Sequence, residues 1–372
     1  MIKSLQSVGI IVLLLCFSAC ATFKAQYAEK KSTNPYPTNK EIKHSFYLMG
    51  DAGNSPLGET SIALQMLEKE LKTASKNSTT IFLGDNVYPK GLPKKNDESR
   101  AFAQHQLEVQ TGVVKDFKGE TIFLPGNHDW YSDGLKGLKR QEKFIEKALG
   151  KNTFLPENGC PIEKIHINKD IELILIDSHW YITNWDNHPT INDDCEIKTR
   201  TKFLEEFSSI VKKARGKTTI VAMHHPVYTN GSHGGQYTFK SHMSPIPVLG
   251  SLKNLIRTTS GVANVDISNK RYNELRKRII TIAQENEKVI FVSGHEHSLQ
   301  YIEEDNLRQI VSGSGAKKSG TRNVGGGQFS YGTLGFARLD VFKDGSSHVR
   351  FYSAEDNKVV FETEVVPARV KS

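Results

Sequence analysis

Short apolar segments that end in a residue able to bind metal recur along most of this chain. Each segment is four to six residues long and rich in β-branched or aromatic residues, which is typical of a strand. The segments with the polar residues that follow them are 46–49 with Asp51, 80–83 with Asp85, 121–124 with Asn127 and His128, 171–176 with Asp177, 219–223 with His224, and 289–292 with His295 and His297.

Amphipathic stretches of helical period separate these strands. Leu138, Ile145 and Leu149 line one of them, which ends at Gly150, and residues 271–287 form another. Strands that alternate with helices predict an α/β fold. Ligands of open α/β sheets bind beyond the carboxyl ends of the strands, so we expect the polar residues to converge there.

The C-terminal part follows a different pattern, because the helical period disappears after about residue 309. Segments 335–342 and 347–353 flank a hairpin signal at 343–346, and 359–366 adds a further strand. These segments predict antiparallel strands that complete a sandwich. Residues 236–270, with several Ser, Thr, Gly and Pro residues, are predicted to be an inserted loop.

The N-terminus has the features of an export signal. Lys3 precedes an apolar run at 8–17 that is too short to span a bilayer. The sequence FSAC, ending at Cys20, resembles the lipobox of bacterial lipoproteins, with Phe17 in place of the usual Leu. We therefore expect a signal peptide over 1–19, a lipid-anchored tether over 20–42 and a domain over 43–368. An ordinary cleaved signal with an incidental Cys is the alternative, and either predicts export to the periplasm or cell surface.

Cysteine content and charge limit the other possibilities. Only Cys160 and Cys195 lie beyond the N-terminal segment, so a thiolate zinc site is excluded, and whether they form a disulfide stays open. The formal charge of +8 favours anionic substrates. No Lys/Arg run is interleaved with aromatic residues, so we expect no nucleic-acid partner.

The candidate ligands are two carboxylates, an amide, a phenol and several imidazoles, a set that suits hard or borderline cations. Two cations about 3.5–4 Å apart can clamp a phosphate and lower the pKa of water from 15.7 to roughly 7. Asp85, in the middle of the set, is the natural bridging carboxylate. Glycines precede the proposed ligands at positions 50, 84, 126 and 294, where a residue without Cβ permits a sharp turn.

Five motifs in this order resemble the calcineurin-like metallophosphoesterases. They are GDAG at 50–53, GDNVY at 84–88, GNHD at 126–129, HHP at 224–226 and GHEH at 294–297. Most of that family carries His where Gly53 stands, whereas Tyr88 is typical of the purple acid phosphatases, particularly the small tartrate-resistant animal type. The resemblance implies a four-layer α/β/β/α sandwich with mixed sheets.

The resemblance also implies a ligand set and a mechanism. Asp51, Asp85, Tyr88 and His297 would bind Fe(III), and Asp85, Asn127, His224 and His295 would bind a divalent ion such as Fe, Zn or Mn. His128, oriented by Asp129, and His233 would contact the phosphate of a small-molecule substrate and act as general acid or charge partner. A metal-bound hydroxide would attack phosphorus in line, without a phosphoenzyme.

Other polar residues have simpler interpretations. His225 is expected to support the ligands, Asp177 to support the core, His179 and His242 to lie at the surface or in loops, and Lys317 and Lys318 to form a solvated pair. The leading function is an acid phosphatase acting on monoesters. Alternatives are a phosphodiesterase or nucleotide hydrolase on the same site, a silent ligand-binding surface lipoprotein, and redox chemistry at an iron pair. The sequence leaves the oligomeric state open.

Overall fold

The structure is a computed structural model that describes residues 20–28 and 35–368, so the predicted signal peptide lies outside the described residues. Its strands form two mixed sheets. One sheet contains, in spatial order, β14 (Lys358–Val366), β13 (Ser347–Ser353), β12 (Gly335–Phe342), β2 (Ile42–Met49), β3 (Ser78–Phe82) and β4 (Glu120–Phe123). The other contains β1 (Gln26–Tyr27), β11 (Gly327–Tyr331), β9 (Leu299–Glu304), β10 (Leu307–Ser312), β8 (Val289–Ser293), β7 (Thr218–Met223), β6 (Ile171–Ile176) and β5 (Ile162–Asn168).

Helices cover the outer faces of both sheets, except for two helices between residues 236 and 270 that pack on each other. In chain order they are α1 (Ile62–Leu71), α2 (Arg100–Val113), α3 (Asn127–Trp130), α4 (Gly134–Leu149), α5 (Ser178–Ile182), α6 (Arg200–Lys213), α7 (Phe239–Met243), α8 (Pro247–Ser260) and α9 (Lys270–Ala283). The α6 helix shows how they form. Thr199 caps it by accepting a hydrogen bond from the amide of Lys202, and its buried residues follow the helical period.

Alternation along the strands produces two layers of apolar packing. In β2, Phe46 and Leu48 pack into the cluster between the sheets, whereas Tyr47 and Met49 pack on the helical side. Strands β2, β3 and β4 are parallel, and so are β6, β7, β8 and β10, while β12, β13 and β14 are antiparallel. The predicted four-layer fold with antiparallel C-terminal strands is confirmed.

The predicted tether differs from the structure in its described parts. The segment 20–28 lies along the domain, because β1 pairs with the edge strand β11 and Tyr27 packs against Phe329 with the ring centroids 5.6 Å apart. Tyr36 donates a hydrogen bond to Asp340 at 2.9 Å. These contacts depend on an unpaired strand edge far along the chain, which a segment without periodicity does not reveal.

The predicted inserted loop contains two helices, α7 and α8. Pro247 occupies the first turn of α8, where its fixed φ and missing N–H are favourable, although the prolines there indicated a loop in the sequence. The two helices lie close together, since a Cβ on Gly250 would be 2.3 Å from the carbonyl oxygen of His242.

The structure answers two questions about this chain's architecture. Cys160 and Cys195, whose pairing the sequence left open, form a disulfide with their Cα atoms 5.5 Å apart. Within residues 20–28 and 35–368, no helix has both the length and the apolar content that crossing a bilayer requires.

The residues of both apolar clusters lie between Ala25 and Val366, so a chain of residues 20–372 contains the whole described core.

We expect the double variant Cys160→Ser/Cys195→Ser to lose about 2–4 kcal/mol of unfolding free energy, because the bridge closes a loop of 35 residues. Urea unfolding of the oxidised protein and the variant measures the difference. Cys20→Ser is the control, since it removes a cysteine without touching the bridge. Equal stability of the double variant and the oxidised protein would contradict the prediction.

Candidate metal centre

The carboxyl ends of strands from both sheets meet at one edge of the sandwich. Asp51 follows β2, Asp85 follows β3 and His224 follows β7, and ligand atoms of these three buried residues lie within 4.8 Å of one another. His295, after β8, donates its backbone N–H to Asp51 Oδ2 at 2.7 Å. The predicted convergence of strand-end polar residues is therefore observed.

Three of these residues have a left-handed backbone conformation. The φ angles are 58° at Asp51, 54° at Asp85 and 69° at His295. Residues other than glycine rarely adopt this conformation, and it persists where the surrounding structure enforces it, typically at functional sites. The packing at the sheet edge thus aims the three side chains into one space.

Glycines allow the chain segments to approach so closely. A Cβ on Gly84, whose φ is +90°, would lie 2.7 Å from both the amide nitrogen of Gly126 and Nδ1 of His224. A Cβ on Gly126 would lie 2.3 Å from the amide nitrogen of Asp85. Any larger residue at these positions would push the second and third motifs apart.

One set of potential ligands surrounds Asp51. Tyr88 Oη donates to Asp51 Oδ1 at 2.6 Å and lies 3.0 Å from His297 Nε2, which is 3.4 Å from the same carboxylate oxygen. Burial, together with the charges of Asp51 and Asp85, raises the pKa of Tyr88 well above 10. A phenolate therefore forms here only beside a strongly charged cation.

A second set surrounds Asp85. His224 Nε2 lies 3.4 Å from Asp85 Oδ1 and 3.3 Å from His295 Nδ1. The other ring nitrogens are held by backbone carbonyls, His224 Nδ1 by Leu83 at 2.8 Å and His295 Nε2 by Val265 at 2.7 Å. Such bonds fix the tautomer that presents a lone pair to a metal.

The electrostatics of the second set favour a cation. Burial lowers the pKa of His224, but the negative charges of Asp85 and Asp51 outweigh it and raise the pKa to about 9. The ring would thus hold an extra proton at neutral pH in the absence of metal, and metal binding would displace this proton.

Asn127 provides an independent test of whether these residues fit a metal. Its Oδ1 is buried and accepts no hydrogen bond from any described residue, while its Nδ2 donates to Tyr131 Oη at 2.9 Å. A buried carbonyl oxygen without a donor is costly unless a ligand satisfies it. The carboxylates, phenol, amide and imidazoles fit two hard or borderline cations, with Asp85 close to both sets.

His128 lies at the rim of the centre, but Asp129 does not orient it. Its Nδ1 is 2.6 Å from the carbonyl oxygen of Pro89, and its Nε2 is 3.8 Å from Asp85 Oδ2. The Asp129 carboxylate instead accepts hydrogen bonds from the amides of Gly126 and Asn86. The prediction that Asp129 orients His128 is wrong, because these amides occupy the carboxylate oxygens. Asp129 instead connects the second motif, through Asn86, to the third motif, through Gly126.

His233 is held beside the second set by residues that the sequence did not indicate. Its ring centroid is 4.1 Å from that of His295, and its Nδ1 lies 2.8 Å from Asp266 Oδ1. Arg257 binds both oxygens of Asp266 at 2.6 Å. Glu296 Oε1 accepts the backbone N–H of His233 at 2.8 Å. Asp266 and Arg257 come from the inserted segment, where no motif marks them.

Two predicted supporting residues have clear contacts. Asp177 accepts hydrogen bonds from the indole of Trp130 at 2.8 Å and the amide of Trp180 at 3.1 Å, so it supports the core as predicted. His225 lies 2.8 Å from Ser178 Oγ, and burial lowers its pKa well below 6.5.

Two predictions are wrong because folding covers or engages the residue. His179 is buried beside Trp130 and Tyr131, and burial lowers its pKa to about 3, whereas it was expected at the surface or in a loop. Lys317 and Lys318 do not form a solvated pair. Lys317 Nζ lies 3.9 Å from the centroid of the Tyr88 ring, and Lys318 pairs with Glu355.

We expect Asp266→Asn to lower kcat by roughly tenfold or more without changing metal content, because the carboxylate positions His233 and none of the metal-ligand candidates. Kinetics of phosphate-ester hydrolysis, the reaction that the sequence resemblance implies, measured as a function of pH and combined with metal analysis of the same samples, give both quantities. Asp356→Asn, which removes a carboxylate that accepts from Tyr331 Oη at 2.9 Å, is the matched control. Loss of metal from Asp266→Asn would contradict this role.

Comparisons with known proteins agree with this geometry. Residues 45–299 match the calcineurin-like phosphoesterase family. Purple acid phosphatase 3 of Arabidopsis thaliana is 23% identical over 291 residues, covering 76% of this chain and 65% of the plant protein. Purple acid phosphatase 4 of the same plant is 21% identical, covering 83% of this chain and 78% of the relative. The chain thus spans slightly less than two thirds of the first relative.

Solved structures show the same fold. GAP50, described as the anchor in the inner membrane complex of Plasmodium, aligns with a TM-score of 0.57 at 15% identity, covering 89% of this chain and 90% of that one. A purple acid phosphatase from yellow lupin (Lupinus luteus) seeds aligns with a TM-score of 0.56 at 11% identity, covering 89% of this chain and 55% of that one. The chain belongs to the calcineurin-like phosphoesterase family, and the curated relatives named above, to which it is similar, are purple acid phosphatases.

Proposed function

We propose that this protein hydrolyses phosphate monoesters at a two-metal centre of the acid phosphatase type. The observation that carries the proposal is the pair of donor sets that share Asp85, one around Asp51 and Tyr88 and one around His224 and His295. A trivalent iron in the first set and a divalent ion in the second would neutralise phosphate charge and make a bound water acidic. The seven proposed ligands are Asp51, Asp85, Tyr88, Asn127, His224, His295 and His297.

The residues around the two sets would bind and protonate the substrate. Asp266 accepts at His233 Nδ1, which leaves Nε2 to hold the proton that a departing alkoxide requires. His128, fixed by the Pro89 carbonyl, would present Nε2 to a phosphate oxygen. The ammonium of Lys317 above the Tyr88 ring adds positive charge at the same rim and would attract a dianionic monoester.

We also propose that the protein is exported and attached to a bacterial membrane through lipidated Cys20. The short apolar run and the lipobox-like sequence support this proposal. The Cys160–Cys195 disulfide supports it independently, since such bridges persist in oxidising compartments. Mass spectrometry of the membrane fraction tests it: an acylated N-terminal Cys20 is expected, and a mature chain that starts elsewhere would contradict it.

The purified protein is expected to contain two metal ions per chain and to absorb visible light through charge transfer from Tyr88 to Fe(III). Tyr88→Phe removes the phenolate donor and should abolish the visible band. Tyr331→Phe is the control, because its hydroxyl donates to Asp356, which belongs to neither donor set. Metal analysis and absorption spectra measure the outcome. A colourless wild-type protein with two divalent ions that still hydrolyses esters would overturn the iron assignment.

Asp85→Asn should lower kcat by roughly a thousandfold and reduce metal content, because the metal centre supplies several kcal/mol of transition-state stabilisation. Asp116→Asn, at an exposed carboxyl group, is the control.

Assays with p-nitrophenyl phosphate and its bis-ester separate monoesterase from diesterase activity. Preference for the diester would support the alternative of a phosphodiesterase, and no turnover of either ester by the metal-loaded protein would support a silent binding protein.

A further inference from the structure

The inserted segment exposes an unusual amount of apolar surface. Of the 14 large hydrophobic residues that are exposed in the described chain, nine lie between positions 239 and 262. We call this segment, residues 239–262, the apolar hairpin. They are Phe239, Met243, Ile246, Val248, Leu249, Leu252, Leu255, Ile256 and Val262. Contiguous apolar surface of this kind marks a site of interaction with a protein or a membrane.

The orientation of α8 explains why these side chains are exposed. The helix buries only Gly250 and Asn254, its small and polar face, against α7. Ser241 Oγ donates to Asn254 Oδ1 at 3.0 Å, and the backbone at Gly250 lies against His242. This is the reverse of a helix that covers a protein core, whose apolar face is the buried one. None of the leucines of α8 belongs to either of the two apolar clusters described for the domain.

The charges of the segment favour an anionic partner. Between positions 236 and 265 the sequence contains no Asp or Glu, but it contains Lys240, Lys253 and Arg257. Arg257 is paired with Asp266, whereas the lysines lie among the exposed apolar residues. A helix that combines exposed large apolar residues with lysines is typical of segments that lie in the headgroup region of anionic bilayers.

The N-terminal segment connects this surface to the proposed lipid anchor. The amide of Ala21 donates to the carbonyl oxygen of Tyr237 at 2.9 Å, and Ala21 also forms a bridge with Thr238. Phe239, the first residue of α7, follows directly. Acyl chains on Cys20 would thus leave the protein beside the apolar hairpin, and both would face the same bilayer.

We propose that the apolar hairpin is a membrane-contacting surface that lies on an anionic bilayer. At a rise of about 1.5 Å per residue, the 14 residues of α8 span roughly 21 Å, less than the ~30 Å of the hydrocarbon layer, so the helix lies in the interface. The exposure and the charge of this surface do not depend on the proposed hydrolysis, and the lipid anchor adds only the position of Cys20.

The test uses residues 20–372 with Cys20→Ser, which contain the whole described core and carry no acyl chain. The probes are vesicles of phosphatidylcholine alone and vesicles with equal parts of phosphatidylcholine and phosphatidylglycerol. We expect binding to the anionic vesicles, and the added triple change Val248→Ser/Leu252→Ser/Leu255→Ser should weaken it about tenfold or more. Leu57→Ser/Ile62→Ser, which changes exposed apolar residues elsewhere, is the matched control and should bind like the parent.

Further measurements separate the possible causes. Lys240→Gln/Lys253→Gln should reduce the preference for anionic over zwitterionic vesicles. Turnover of p-nitrophenyl phosphate and the unfolding midpoint should be the same in parent and triple variant, which shows that the change is confined to the surface. Vesicle binding that the triple change leaves intact, or no binding by the parent, would overturn the proposal. A parent dimer that the triple variant dissociates, without vesicle binding, would assign the surface to a second copy instead.

Discussion

The close approach of backbone segments at the carboxyl edge of the two sheets is the constraint on which the site depends. Gly84 and Gly126 are in contact there, and neither position has room for a Cβ. The approach brings the turn after β3 against the turn after β4, and it places the Asp85 carboxylate between groups that come from different sheets. Positive φ angles at Asp51, Asp85 and His295 are part of the same arrangement.

Backbone carbonyls then determine which atoms the histidines present. Leu83, at the end of one strand, holds His224, and Val265, in the inserted segment, holds His295. Each bond leaves the opposite ring nitrogen available inside the site. The donor sets are thus oriented by groups that carry no side-chain signature, and they would be in place before a cation binds.

The sequence predicted the layers of the fold and the convergence of the strand-end residues, because period-two and period-3.6 patterns and glycine turns are local signals. Contacts that join distant segments were not predictable in this way. Asp266 and Arg257 support His233 from a segment whose prolines indicated a loop, and Pro247 in fact begins a helix. The burial of His179 likewise depends on Trp130 and Tyr131, which approach only in the folded chain.

The contact of Val265 with His295 has a consequence for how this protein could be shortened or diversified. Residues 236–270 are an insertion relative to the sandwich. Val265 and Asp266, near the end of this segment, nevertheless bind His295 in the centre and its neighbour His233, respectively. A homologue or an engineered version without this segment would need new partners for both imidazoles. Changes in its length are therefore coupled to the chemistry of the site, although the segment lies outside all five motifs.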